Sequence, residues 1–354
     1  MSGSGKAFVA VSGGVDSAVS TALLLEKGYD CCGVFMITHD AAQSAQADAQ
    51  RVCDTLGIEL SVLDFRKEFK VILDYFMNQY RHARTPNPCV LCNRLMKFGK
   101  LWDYAKAHGA DLIATGHYAR VVHLGNEAGL YQSTDQKKDQ SYVLSMINRE
   151  VLKHLLLPMS ELTKDHTRQI AAKLGLHVSE KSDSQEICFI PDNDYARLLA
   201  ELCPEICHPG QVVDKHGKVL GQHEGIFRFT IGQRRGLGIA LGDPAYVVGL
   251  DAQTHTVVLG AKNDLLSWRL IAREFNWLID IPTEPFAAFV KIRYNHRGCS
   301  AQVYPQGDEV EIRFTEPMSA ITPGQAAVVY IETDQGLRVA GGGWIEKALS
   351  EEKR

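Results

Sequence analysis

The 354-residue chain has no apolar run near the roughly 18 residues that cross a bilayer, and residues 1–6 carry neither a basic n-region nor an apolar h-region. Membrane insertion and secretion are excluded, and a cytoplasmic protein is expected. Cysteine is scarce and odd in number, nine residues with Cys31 and Cys32 adjacent, so a disulfide framework is excluded and a reducing compartment fits. Positive charge is not in excess, since 38 Lys and Arg stand against 42 Asp and Glu. The chain as a whole therefore exerts no pull on nucleic acid, and any RNA binding must come from local basic patches. Internal repeats and low-complexity segments are absent from the sequence. What is there is apolar material, 45% hydrophobic residues beside 23% charged, enough for packed cores over two or three domains.

Over the first 200 or so residues, short apolar runs alternate with longer amphipathic stretches, the pattern of βαβ units in a doubly wound parallel sheet. Strands are expected at 7–11, 32–37, 58–63 and 111–115, and helices at 16–27, 43–56, 68–82 and 93–108. Three of these helices end in Gly28, Gly57 and Gly109, the usual left-handed cap. A joint bearing proline and glycine follows at 203–210. Beyond it, β-like runs at 211–220, 226–231 and 246–259 suggest a small central domain. From about residue 275, brief strands at 286–294, 300–304, 310–314, 326–332 and 337–341 suggest a terminal β-barrel or sandwich. The expected fold class is α/β, with a doubly wound domain at 1–202, a central domain at 203–272 and a β-barrel-like domain at 273–354.

The sharpest local signal is the run Ala10, Val11, Ser12, Gly13, Gly14, Val15, Asp16, Ser17 at the junction of a strand and a helix. Two glycines let the backbone approach an anion, and the helix start aims free N–H groups at the same spot. Ser12 and Ser17 add hydroxyl donors, while Asp16 can orient the loop or hold Mg²⁺ against phosphates. The loop lacks the lysine of a Walker motif, so a kinase or GTPase cradle is excluded. It resembles the PP-loop of ATP pyrophosphatases, which split ATP between its α and β phosphates.

Two thiols, Cys89 and Cys92, stand three residues apart after the stiff turn Thr85, Pro86, Asn87, Pro88 and before an expected helix. A helix start favours the thiolate, which makes Cys92 a candidate nucleophile. A third thiol, Cys188, sits among polar residues far along the chain. Zinc on Cys89 and Cys92, or on Cys203 and Cys207, is the structural alternative. For Cys31, Cys32, Cys53 and Cys299 core filling is expected.

Together these stretches resemble the tRNA-specific 2-thiouridylases over nearly the full length. The matching segments include 12–17, 33–36, 85–93, 114–118, 138–142, 187–190, 232–238, 293–294 and 322–325. The resemblance implies replacement of the 2-oxygen of the wobble uridine in Lys, Glu and Gln tRNAs by sulfur. Uridine O2 would attack the α-phosphorus of ATP, and sulfur would then displace AMP. Cys188 is implied as the persulfide carrier, charged by a sulfur-relay protein or cysteine desulfurase, and Cys92 as the nucleophile that ends in a transient disulfide with it. ATP contacts are implied for residues 10–17, Met36 and Gly116. Contacts to tRNA are implied for Asn87, Pro88, Cys89, His117, Lys138, Asp139, Gln140, Arg293, Tyr294 and Gln325. Another PP-loop ATP pyrophosphatase is the alternative reading of the loop.

Local basic patches supply what the net charge does not. They are Arg228, Arg234 and Arg235; Lys291, Arg293, His296 and Arg297; and Arg81, His82, Arg84, Arg94, Lys97 and Lys100 around the Cys92 loop. One departure from the family matters, because Cys89 stands where an Asp is common, which excludes a carboxylate base there. Three thiols at Cys89, Cys92 and Cys188 would also suit an iron-sulfur cluster, an alternative to the metal-free relay expected here. A monomer is expected.

Overall fold

The computed structural model describes residues 5–179, 181, 187–190, 192–239 and 244–350. The first domain is built on five parallel strands, β1 (Lys6–Ala10), β2 (Asp30–Ile37), β3 (Leu60–Asp64), β4 (Leu112–Ala114) and β7 (Leu155–Leu156), in the order β3-β2-β1-β4-β7. Helices α1 (Val15–Glu26), α2 (Gln43–Leu56) and α3 (Arg66–Arg81) connect them, with α6 (Lys164–Lys173) packed on α1. The order reverses between β1 and β4, and ligands of such sheets sit at that switch point, beyond the carboxyl ends of the strands. The loops that matter here leave β1 and β4.

Strands β1 and β2 read as apolar runs because both faces are covered: Ala7, Phe8, Val9, Val34 and Phe35 are all buried. Between β3 and β4 the chain forms one continuous helical rod, α4 (Pro88–Cys92), a π-helical stretch at Asn93–Lys100, and α5 (Leu101–Ala107). Its start is Pro88, five residues before the expected helix at 93. Proline suits a first helical position because its missing N–H would be unpaired there anyway.

The central domain carries a four-stranded sheet, β10-β11-β8-β9, of β8 (Gly210–Asp214), β9 (Val219–His223), β10 (Tyr246–Asp251) and β11 (Thr256–Gly260). The run at 226–231, expected as β-like, instead contains a short 3₁₀ turn, Ile226–Arg228. Its apolar residues Ile226, Phe227 and Phe229 are buried all the same. The last domain is a closed antiparallel barrel of β12 (Leu266–Trp277), β13 (Phe286–Lys291), β14 (Cys299–Gln306), β15 (Glu309–Ser319), β16 (Ala326–Thr333) and β17 (Gly336–Leu349), sealed by pairing of β12 with β17. Strand β12 runs across the expected 272/273 boundary.

The domains are not independent beads. A hairpin of the first domain, β5 (Arg120–Leu124) and β6 (Glu127–Tyr131), extends the barrel sheet through Tyr131 beside Arg338. One apolar cluster holds Phe8, Leu130 and Tyr142 together with Val328, Tyr330 and Trp344 of the barrel. Among the described residues, no helix is long and apolar enough to cross a membrane.

Candidate active site

After β1 the chain turns through the glycine loop, whose two glycines serve different ends. Gly13 has φ of 71°, and a Cβ there would collide with the Ala45 carbonyl oxygen, so only glycine fits. Gly14 has ordinary extended backbone as the N-cap of α1, and a Cβ would come no nearer than 3.4 Å, to Ser12 Oγ. Its bareness keeps the space in front of the helix start open. The loop braces itself: Ser12 N donates to Ser17 Oγ (3.1 Å), and Ser17 Oγ donates to the Gly14 carbonyl (3.0 Å). Met36, at the end of β2, is half-buried beside the first cluster.

The turn after β4 reaches both halves of the site. Gly116 lies so close to the start of α1 that a Cβ would sit 2.7 Å from Asp16 C and Ser17 N. The Tyr118 hydroxyl donates to Asp16 Oδ1 (2.8 Å). Lys164 donates to both Asp16 oxygens at 2.7 and 2.9 Å. Lys181 ties the loop from the other side, donating to the Gly13 carbonyl (3.0 Å) and to Asp48 (2.6 Å), whose carboxyl is held down to about 2 chiefly by that lysine. With both oxygens engaged by Lys164, Asp16 orients the loop in this arrangement. Neither lysine was singled out by sequence, because each stands more than 140 residues from the loop it serves.

Between Gly116 and Tyr118, His117 turns to the thiols. Its Nδ1 lies 2.7 Å from Thr115 Oγ1 and its Nε2 lies 3.3 Å from Lys97 Nζ. Burial first, and Lys97 second, hold the imidazole well below its usual pKa, so it is neutral. An ammonium can only donate, so Nε2 is the acceptor and Nδ1 carries the proton.

The thiols gather around the same lysine. Burial pushes Cys92 up to about 12, against the downward pull of Lys97, and Cys89 up to about 11. Charge on Cys188 raises both, so the fold brings together cysteines 96 residues apart in sequence (188 minus 92). Cys188 is exposed, and its thiol is raised by desolvation, with Lys97 and the amides of Cys188 and Phe189 opposing. Residues 182–186 before it lie outside the described residues. The expectation that a helix start makes Cys92 a ready thiolate is corrected: Cys92 ends α4, one turn inside the rod, and burial dominates. Burial thus disfavours the thiolate form of Cys89 and Cys92.

Among the described residues, no three His, Cys, Asp or Glu side chains come together as a metal site.

The other expected contact residues divide by where their side chains point. Asp139 is buried, accepting from Ser133 N and Ser141 N and lying 3.6 Å from the Lys291 ammonium, so its carboxylate anchors its own loop rather than facing solvent. Gln140 accepts from Tyr118 N (2.9 Å), and Lys138 is half-buried in the same loop. Gln325 donates to the carbonyls of Thr85 (2.9 Å) and Pro86 (3.3 Å), clamping the turn that carries Asn87 and Pro88. Arg293 is exposed on the barrel, and Tyr294 next to it lies near enough to Cys89 to feel its charge. Of the basic patches, Arg234, Arg235 and Arg297 are exposed as well, whereas Arg84 pairs with Glu346 and Lys291 with Asp139.

Comparison with known proteins decides what this constellation belongs to. The tRNA methyl transferase HUP domain family matches residues 5–192, its PRC-barrel domain family 197–261, and the aminomethyltransferase beta-barrel domain family 267–345. The tRNA-specific 2-thiouridylase MnmA of Carboxydothermus hydrogenoformans is 47% identical over 363 residues, covering 97% of this chain and 98% of that protein. That of Geobacter metallireducens is 43% identical, covering 97% of each. The chain belongs to the tRNA-specific 2-thiouridylase family.

The three matched regions coincide with the parallel-sheet domain, the four-stranded central sheet and the closed barrel. A solved 4-thiouridine synthetase in complex with RNA and bound ATP is similar over 57% of this chain and 51% of its own, at 19% identity and a TM-score of 0.37. That likeness is too low to bear on the activity of this family member.

Proposed function

We propose that this chain is an ATP-dependent tRNA sulfurtransferase that replaces O2 of the wobble uridine of Lys, Glu and Gln tRNAs with sulfur. The observation that carries the reading is the segment Thr115–Tyr118, which meets the phosphate loop through Gly116 and Tyr118 and, through His117, the Lys97 ammonium whose charge acts on Cys89, Cys92 and Cys188. One enzyme then activates the base and delivers sulfur within a single cleft. Methyl transfer, which the domain descriptions mention, would leave both the ATP loop and the paired thiols without a task.

In this account uridine O2 attacks the α-phosphorus of ATP and pyrophosphate leaves, with loop amides and the α1 start holding the phosphates. The adenylated O2 makes C2 electrophilic. The terminal sulfur of a Cys188 persulfide, supplied by a sulfur-relay protein or cysteine desulfurase, attacks C2 and AMP departs with the former O2. Cys92 then attacks Cys188 Sγ as thiolate, leaving sulfur on C2 and a Cys92–Cys188 disulfide that a dithiol reductant reopens. Because Cys92 rests protonated, its proton must leave before this step, and the Lys97 ammonium is the group that stabilises the resulting charge. Magnesium would enter with ATP, bound to its phosphate oxygens. The metal-free relay is preferred to an iron-sulfur cluster because persulfide transfer accounts for Cys92 and Cys188 without a further group.

Exposed Arg234, Arg235, Arg293 and Arg297 supply the RNA-facing charge, with Tyr294 beside the thiol pocket for the target base. Nucleoside mass spectrometry of tRNA from cells lacking this chain tests the proposal. Loss of 2-thiouridine supports it, and unchanged 2-thiouridine refutes it.

A further inference from the structure

A triphosphate needs cations, and the loop at 12–17 has none: it offers hydroxyls, amides and one carboxylate, which is of the wrong sign. Lys164 reaches that loop, with Nζ 2.7 and 2.9 Å from the carboxylate oxygens of Asp16. Its location runs against local preference in two ways. It is the first residue of α6, whose N-cap Thr163 accepts from His166 N, and a cation in a first turn opposes the helix dipole. Its side chain is also only 12% exposed, which desolvates the ammonium.

Asp16 does not depend on Lys164 alone for its orientation. Tyr118 OH donates to the same Oδ1 at 2.8 Å and lies 2.9 Å from Thr167 Oγ1 on α6. The carboxylate would stay in place if the lysine moved off it. Lys181 holds the other side of the loop, donating to the Gly13 carbonyl and to Asp48.

We propose that Lys164 is the phosphate-neutralising cation of this loop, resting on Asp16 in the nucleotide-free chain and shifting to the β and γ phosphates when ATP enters the space that Gly14 leaves open. There it offsets the negative charge that collects on pyrophosphate as the bond between the α and β phosphates breaks. No bond to Lys164 forms or breaks. The inference rests on the reading of the loop as an ATP site.

Isothermal titration of ATP and AMP into the wild-type chain, Lys164→Gln, Lys164→Met and Lys164→Arg tests it. Glutamine can still donate a hydrogen bond to Asp16 but carries no charge, so it separates neutralisation from anchoring. The expected result is a roughly 10- to 100-fold loss of ATP affinity in Lys164→Gln, a much smaller loss for AMP, and partial recovery in Lys164→Arg. Lys164→Met should behave like Lys164→Gln, which covers the case in which one variant fails to fold. Wild-type ATP affinity in Lys164→Gln, or equal losses for ATP and AMP, would overturn the assignment while leaving the ATP reading intact. Absence of ATP binding in the wild-type chain would overturn both.

Discussion

Lys97 Nζ lies 3.3 Å from His117 Nε2, and that contact joins the rod that carries Cys89 and Cys92 to the segment that touches the ATP loop. The π-helical stretch makes it available. In a regular α-helix, residues five apart point about 140° away from each other, so Lys97 would face away from Cys92. Widening to an i to i+5 pattern over Asn93–Lys100 swings the lysine back toward the thiols.

Removing that cation should make the thiols harder to ionise. Lys97 pulls the pKa of Cys89, Cys92 and Cys188 downward, so Lys97→Met moves each thiolate titration to higher pH. At a fixed pH below the pKa, a thiol made tenfold less acidic is alkylated about tenfold more slowly. Peptide mass spectrometry of iodoacetamide labelling against pH, in a Cys89→Ser background, reads Cys92 and Cys188 separately. Unchanged profiles would remove Lys97 from the sulfur chemistry.

The two loop glycines should fail differently. Gly14→Ala meets nothing closer than 3.4 Å, so it should melt close to wild type while losing tRNA-dependent pyrophosphate release, because its methyl group takes phosphate space. Gly13→Ala must hold a left-handed residue against the Ala45 carbonyl, costing about 1–2 kcal/mol for the backbone and more for the collision. Thermal melts beside pyrophosphate assays distinguish the two. A fully active Gly14→Ala would contradict the placement of phosphate.

Cys92→Ser and Cys188→Ser should each abolish thiolation while leaving pyrophosphate release, since activation of the base uses neither thiol. Changes at Cys31, Cys53, Cys203, Cys207 and Cys299 should leave residual activity; Cys31, Cys53 and Cys203 are buried fillers, so replacing them costs stability rather than chemistry. Thiouridine formation and pyrophosphate release measured on the same samples separate these outcomes.

Gln325→Ala should lower stability by about 1–3 kcal/mol through two lost hydrogen bonds to the Thr85 and Pro86 carbonyls. The turn before Cys89 would loosen, so turnover should fall more than tRNA affinity. A pure loss of tRNA affinity with unchanged turnover would make Gln325 an RNA contact instead.

Much of this was legible because it is local. The strand, glycine loop and helix of 6–26 follow from apolar runs and turn chemistry, and the caps at Gly28 and Gly57 mark helix ends that the structure retains. The start of the rod at Pro88 was missed, because Thr85–Pro88 reads as a stiff turn, although proline suits a first helical position. What else escaped is long-range. Nothing near Lys164 announces its Asp16 partner 148 residues away, and Asp139 and Gln325 give no sign in sequence that their side chains are spent inside the protein. The thiolate expectation for Cys92 failed because burial, a property of the assembled fold, outweighs a helix end. Strand β12 escaped because Arg269 and Arg273 interrupt its apolar pattern, and the barrel accommodates them by pairing with Glu311 and Glu309.

The central claim is that uridine O2 attacks ATP and leaves on AMP. Incubating the chain with ATP, a persulfide donor and tRNA labelled with oxygen-18 at O2 of the wobble uridine tests it directly. The account predicts AMP that carries the oxygen-18, formed in step with 2-thiouridine. Unlabelled AMP accompanying 2-thiouridine would contradict it.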